Sequence, residues 1–172
     1  MPMNENVTAW FRGRIPDGWY CEPVTVRLDR DEILVTGTLP RPDLGDDLGP
    51  DGEAVALTSR ISAHREDSRE QRMAVAREAE HRFERKVSWG ARCGEVETVF
   101  TTAGVPVMTR LRMAERQVLD TLIEAGIARS RSEALAWCVR LVGRHQEEWI
   151  SQLREATARV AKVRAEGPDL AG

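Results

Sequence analysis

Residues 105–145 constrain this chain more than any other stretch, because they describe a unit that cannot fold alone. Val107-Met108-Thr109-Arg110-Leu111-Arg112-Met113 has the period-two pattern of a short strand. Val107, Thr109, Leu111 and Met113 share one face, and Met108, Arg110 and Arg112 share the other. Pro106 stands at the strand's start, where a missing amide donor is tolerated. A helix is expected from about Ala114 to Ala125, with Val118, Leu119, Leu122 and Ile123 as its apolar face. Gly126 supplies the left-handed residue that closes such a helix, and Ile127 the apolar contact that goes with it. Ser130, followed three residues later by Glu133, reads as a capping box and opens a second helix through Leu135, Trp137, Cys138, Val139 and Val142. One strand and two helices in about forty residues bury too little surface to be stable singly. Two copies can close a core, with Leu111, Leu119, Leu122, Leu135 and Val139 as its dimer residues.

The order of strand, glycine-ended helix and capped helix resembles the ribbon-helix-helix family, the Arc, MetJ and CopG superfamily of bacterial DNA-binding proteins. The resemblance rests on the Met108–Met113 strand, on Leu119-Asp120-Thr121-Leu122-Ile123-Glu124-Ala125-Gly126, and above all on Arg129-Ser130-Arg131-Ser132-Glu133-Ala134-Leu135. It implies a homodimer that lays a two-stranded antiparallel ribbon in the major groove of double-stranded DNA. Met108, Arg110 and Arg112 would then face base edges. An arginine fork on guanine is worth ~1–3 kcal/mol of discrimination, and a methionine can meet a thymine methyl. Arg129, Ser130, Arg131 and Ser132, at the N-terminus of the second helix, would hold phosphate and fix register rather than read sequence. Family members commonly act as transcriptional repressors, and some are antitoxins that bind a toxin through a separate segment.

The second helix is expected to run on to about Ala165, before Gly167-Pro168. Leu135, Val139, Val142, Gln146, Trp149, Leu153, Ala156, Val160 and Val163 alternate spacings of four and three, and only Gln146 is polar. This seam suits packing on the N-terminal module, an extended dimer contact or a groove for another protein.

Upstream, Trp10-Phe11 and Trp19-Tyr20 bracket the turn-rich Gly13–Gly18, either as the anchor of an N-terminal core or as a stacking platform for bases. Val24–Leu28 and Glu32–Leu39 read as a hairpin around Asp29-Arg30-Asp31. Residues 40–53 hold Pro40, Pro42, Pro50, three glycines and Asp43, Asp46, Asp47 and Asp51, the composition of an acidic mobile loop. It is a solvated tether or an autoinhibitory arm over a basic surface. Ala54 to about Trp89 lacks Gly and Pro and reads as a long helix. Its polar middle, His64–Arg72, is an exposed section or a break between two helices. Val96–Thr101 reads as a further strand. The expected fold class is therefore α+β: a small ββαβ module of unknown role (1–103), a ribbon-helix-helix for dimerisation and DNA binding (104–145), and a heptad-patterned helical extension and tail (146–172).

Charge sharpens this division. Residues 1–104 carry 14 Lys or Arg against 19 Asp or Glu, while 105–145 carry 7 against 4. The whole-chain balance of −3 argues against a protein that coats nucleic acid along its full length. It leaves room for a local basic reading segment that doubles on dimerisation. No segment reaches the ~18 consecutive apolar residues of a membrane helix. Met1–Ala9 lacks the pattern of a signal peptide. Cys21, Cys93 and Cys138 are far apart, and the three histidines show no metal-ligand spacing, so neither a metal nor a cofactor is expected. No nucleophile elbow, phosphate loop or dinucleotide motif occurs. His64-Arg65-Glu66-Asp67 reads as a salt-bridged solvated face, so no catalytic residue and no enzyme is expected. The expected function is a sequence-specific, cytoplasmic (nucleoid) regulator acting on double-stranded DNA as a homodimer. Two alternatives stay open. One is a chromosome-organising protein that also uses the Arg-rich stretch Ser59–Lys86. The other is an adaptor that uses the fold only to dimerise, with a protein partner on the N-terminal module or C-terminal helix.

Overall fold

A computed structural model describes residues 3–45 and 49–166. The fold is mixed α+β, and the chain divides into two compact units, Met1–Val107 and Met108–Gly172. In the first unit the elements are α1 (Met3–Arg14), β1 (Thr25–Leu28), β2 (Glu32–Thr38), α2 (Pro50–Asp67), α3 (Arg69–Phe83), β3 (Lys86–Cys93) and β4 (Val96–Val99). The order is thus αββααββ rather than the expected ββαβ.

The sheet runs β1-β2-β3-β4, antiparallel at both ends and parallel between β2 and β3. A parallel pair needs a long crossover, and α2 and α3 provide it. Along β2 burial alternates, which sends Ile33, Val35 and Gly37 inward. At Gly37 a Cβ would stand 2.2 Å from the Tyr20 ring, so only glycine lets that ring lie against the strand. Val7 and Phe11 of α1 are fully buried with Ile33, Val35, Ile61 and Trp89. Phe11 meets Trp10 and Trp89 edge-on, with ring centroids at 4.9 Å and 6.0 Å.

Three boundaries depart from the sequence expectation. Residues 3–14 are helical and place Val7, Trp10 and Phe11 at i, i+3 and i+4, a spacing that one helical face shares. The acidic loop ends early, because Pro50 occupies the first helical turn with Asp51 and Glu53, where a fixed φ and negative charge are both favoured. Asp46 and Asp47 of that loop lie outside the described residues. The long helix stops at Glu84, which adopts a left-handed conformation (φ 54°, ψ 37°), and the chain turns into β3. The expected break at His64–Arg72 is sited at Ser68, which ends α2 and starts α3.

That junction buries polar groups. Ser68 is buried and its hydroxyl donates to the His64 carbonyl. His64 Nε2 lies 3.3 Å from the Tyr20 hydroxyl, and the Trp19 ring stands edge-on at 5.6 Å. Burial pushes the His64 imidazole down to about 4, with Arg72 and Arg60 adding to the shift and Asp67 opposing it. Burial also pushes the Tyr20 phenol up to about 12. A histidine held neutral in the fold takes up fewer protons than its unfolded counterpart. Its contribution to stability is intact above the unfolded value near 6.5 and declines as the pH falls toward 4. We expect the urea midpoint to drop between pH 7 and pH 4.5, and the drop to be smaller in His64→Gln. An equal drop in both proteins would exclude His64 as its source.

The second unit contains α4 (Met113–Glu124), α5 (Arg131–His145) and α6 (Glu147–Glu166). The expected continuous second helix is interrupted at Gln146, whose backbone (φ −121°, ψ 30°) leaves the helical region. Gly143, a weak helix former, lies one turn before that interruption. No strand forms over 101–112 in the single chain, against the expectation for Val107–Met113. A ribbon strand takes its ladder hydrogen bonds from a second copy, which a single chain does not contain. No helix among the described residues is long and apolar enough to cross a membrane.

Candidate nucleic-acid interface

The candidate surface is built on the α4–α5 hairpin and the segment that enters it. Arg112 is extended (φ −80°, ψ 175°), and its N–H donates to the Glu115 carboxylate at the start of α4. Arg116 Nη1 donates to the Leu111 carbonyl at 2.7 Å, which ties the entering segment to the helix. α4 ends in a complete Schellman arrangement. Gly126 sits at φ 72°, its N–H bonds the Ile123 carbonyl, and the Ile127 N–H bonds the Leu122 carbonyl, both at 3.0 Å.

α5 starts at a true cap. The Ser130 hydroxyl accepts from the Glu133 N–H at 3.2 Å. The Glu133 carboxylate reaches back to the N–H of Arg129, one residue before the cap, at 2.9 Å. This backbone bond, then the Arg129 side chain, holds the Glu133 carboxyl below the usual range. Loss of the cap hydroxyl in Ser130→Ala is expected to destabilise the hairpin by about 1 kcal/mol. Thermal unfolding followed by circular dichroism checks this, and Ser130→Asp should restore most of the loss.

The expected phosphate-contacting residues are partly engaged within the chain. Arg131 forms a bidentate pair with Asp120 of α4, 2.8 Å at both Nε and Nη2, and this pair lowers the carboxyl and raises the guanidinium value. Its Nη1 makes no further bond among the described residues. Arg129 bonds Glu133 through Nε at 3.2 Å, which leaves both Nη groups outward. Ser130 is occupied as the cap, and Ser132 is exposed. The Asp120–Arg131 pair escaped the sequence reading, since eleven residues across a loop leave no periodic signal.

Of the expected base-contacting trio, Met108 is 94% exposed, and Arg110 and Arg112 are exposed. Of the expected dimer core, Leu119 is buried with Ala128 and Ala134, and Leu111, Leu122 and Leu135 pack against them half-buried. Val139 is instead 66% exposed. So are Val107, Met113 and Val118 of the entering segment and α4, and Val142 of α5. The seam on α6 is uncovered too: Trp149, Leu153, Val160 and Val163 are exposed, and α6 buries no residue. Isolated exposed apolar side chains are ordinary; here they recur on α4, α5 and α6.

Residues 5–99 match a family model described as the Rv1265-like protein, N-terminal domain, and residues 112–164 match one described as the Mb1296 C-terminal domain. The chain is 49% identical over 170 residues to the uncharacterized protein Mb1296 of Mycobacterium bovis, and equally to the uncharacterized protein Rv1265 of Mycobacterium tuberculosis. In each case the alignment covers 98% of this chain and 73% of the relative. The chain belongs to the Rv1265-like family. Its two domain matches fall on either side of the Val107–Met108 division of the fold. The names of these families and relatives state no activity and no ribbon-helix-helix. No solved structure matches this chain.

Proposed function

We propose that this Rv1265-like protein is a homodimeric, sequence-specific DNA-binding regulator, acting as a repressor, whose second unit pairs as a ribbon-helix-helix. One observation carries the reading. A segment that joins no sheet in the single chain and exposes Met108, Arg110 and Arg112 leads directly into a capped two-helix hairpin with exposed apolar side chains. A hairpin whose buried residues are Leu119, Ala128 and Ala134 has only a small core, and a second copy would enlarge it. Antiparallel pairing of the two entering segments satisfies their backbone and puts alternate side chains on one ribbon face. Arg129 and Arg131, both exposed near the N-terminus of α5, would grip phosphate.

The chromosome-organising alternative draws less support. Arg72 is buried, and Lys86 is paired with Glu80, so the Arg-rich stretch offers a weaker second DNA surface than its composition suggests. The dimerising adaptor is distinguished by binding. Fluorescence anisotropy with duplex DNA should show affinity that falls with salt at a log–log slope of about −3 to −4, as roughly four phosphate contacts per dimer require. A stable dimer that binds no duplex at low salt would select the adaptor instead.

A further inference from the structure

We propose that a cavity in the N-terminal unit, between α3 and the sheet, binds a small organic anion with an apolar body, an aryl carboxylate or aryl phosphate. The site lies wholly within the first unit and does not depend on the DNA-binding reading. The cavity measures about 560 Å³, and Met73, Ala76, Val87 and Phe100 give it an apolar wall. Sites for small molecules run from roughly 300 to 1,000 Å³ and combine such walls with one or two placed polar groups.

The placed polar group is Arg72. It is 6% exposed, as buried as much of the core, yet no carboxylate forms an ion pair with it among the described residues. Its Nε donates to the Ser68 hydroxyl at 2.9 Å and its Nη2 to the Arg65 carbonyl at 2.6 Å, both neutral acceptors. Nη1 makes no hydrogen bond among the described residues. The guanidinium carbon lies 4.8 Å from the centroid of the Phe100 ring, whose face favours a cation without neutralising it. An arginine stays charged in proteins, and a buried charge is costly until an anion meets it. Arg65 and Arg69 also line this cavity. The carboxylate that lines it, Glu66, is 73% exposed and lies 4.0 Å from Arg65 Nε, and its charge acts on Arg72 without an ion pair between them. The surrounding unit is acidic overall, with 14 basic against 19 acidic residues in 1–104, so this cluster of positive charge is local to the cavity.

The geometry assigns the anionic group to the Nη1 side of Arg72 and the ring to the apolar wall. Calorimetric titration of the full-length chain with phenyl phosphate and with benzoate tests this. Benzyl alcohol serves as the neutral ring, and inorganic phosphate as the anion without a body. We expect one equivalent of at least one aryl anion to bind at least tenfold more tightly than either control. The preferred arm names phosphate or carboxylate as the head group. Ala76→Phe fills the cavity while keeping the Arg72 guanidinium, and should weaken binding at least tenfold while the circular dichroism spectrum stays native. Arg72→Met should abolish binding if it folds, and Ala76→Phe decides the matter if it does not. No heat from either aryl anion at millimolar concentration would overturn the proposal. So would unchanged binding in a folded Ala76→Phe protein, or equal affinity for benzyl alcohol.

Discussion

Val139→Asp is expected to convert the proposed dimer to a monomer at micromolar concentration. In the single chain Val139 is 66% exposed, so a carboxylate there meets water and leaves the monomer's fold intact. In the proposed dimer the same position lies in the shared core with Leu119, Leu122 and Leu135. Two unpaired carboxylates would then be buried, at a cost of several kcal/mol, or at least about a thousandfold in the dimer dissociation constant. Val55→Asp is the matched control, since Val55 is also exposed but sits on α2 in the first unit. Sedimentation equilibrium separates the outcomes. An unchanged dimer in Val139→Asp would remove this face from the interface, and with it the proposed pairing.

The second large effect concerns recognition. Replacing Arg110 and Arg112 together by alanine removes four guanidinium forks from a dimer. At ~1–3 kcal/mol for each fork that reads a guanine, specific affinity should fall by at least about thirtyfold even if only two of the four do so. Non-specific affinity should fall far less, because Arg129 and Arg131 remain. The ratio of specific to non-specific binding, taken at one salt concentration, is therefore the quantity to compare. A parallel loss of both would make Arg110 and Arg112 phosphate contacts rather than base readers. Arg131→Ala should show the converse, a similar loss on all sequences and a shallower salt dependence. Part of that loss would come from freeing Asp120, which Arg131→Lys would report by keeping a positive charge beside it.

The parts of the fold that could be read from the chain were those written in short-range chemistry. Gly126 and Ser130 mark the two helix ends of the hairpin because a left-handed cap and a hydroxyl cap need particular side chains. Glu84 takes a left-handed conformation without a glycine, so nothing in the composition marks the end of α3. β3 was hidden for a related reason. Ser88, Trp89, Gly90 and Ala91 of this inner strand are all buried, so no polar alternation survives, whereas the other inner strand, β2, keeps its own. The ribbon segment carries the alternation of a strand but has no partner within one chain, and it forms no ladder there. In residues 3–14 the helical spacing rests on Val7, Trp10 and Phe11 alone, and Gly13 and Gly18 beside them are turn formers.

Arg72 illustrates the opposite limit. In sequence it is one of many charges in a polar stretch, and a solvated helix face is the natural expectation. The kink at Ser68 turns it inward, where it holds the Arg65 carbonyl and faces Phe100. A residue's burial depends on where two helices break, and here Leu57 and Ile61 before the break and Val75 after it are buried in one core. The same reasoning explains the Asp120–Arg131 pair, which depends on the angle of the hairpin.

The most direct measurement is a selection of duplexes from a random library by the full-length protein at near-physiological salt, repeated with the Arg110→Ala, Arg112→Ala double variant. A ribbon-helix-helix dimer predicts enrichment of a short inverted repeat by the native protein, and its disappearance in the variant. If the native protein forms a stable dimer yet enriches no sequence, or if the variant enriches the same one, the central claim is wrong.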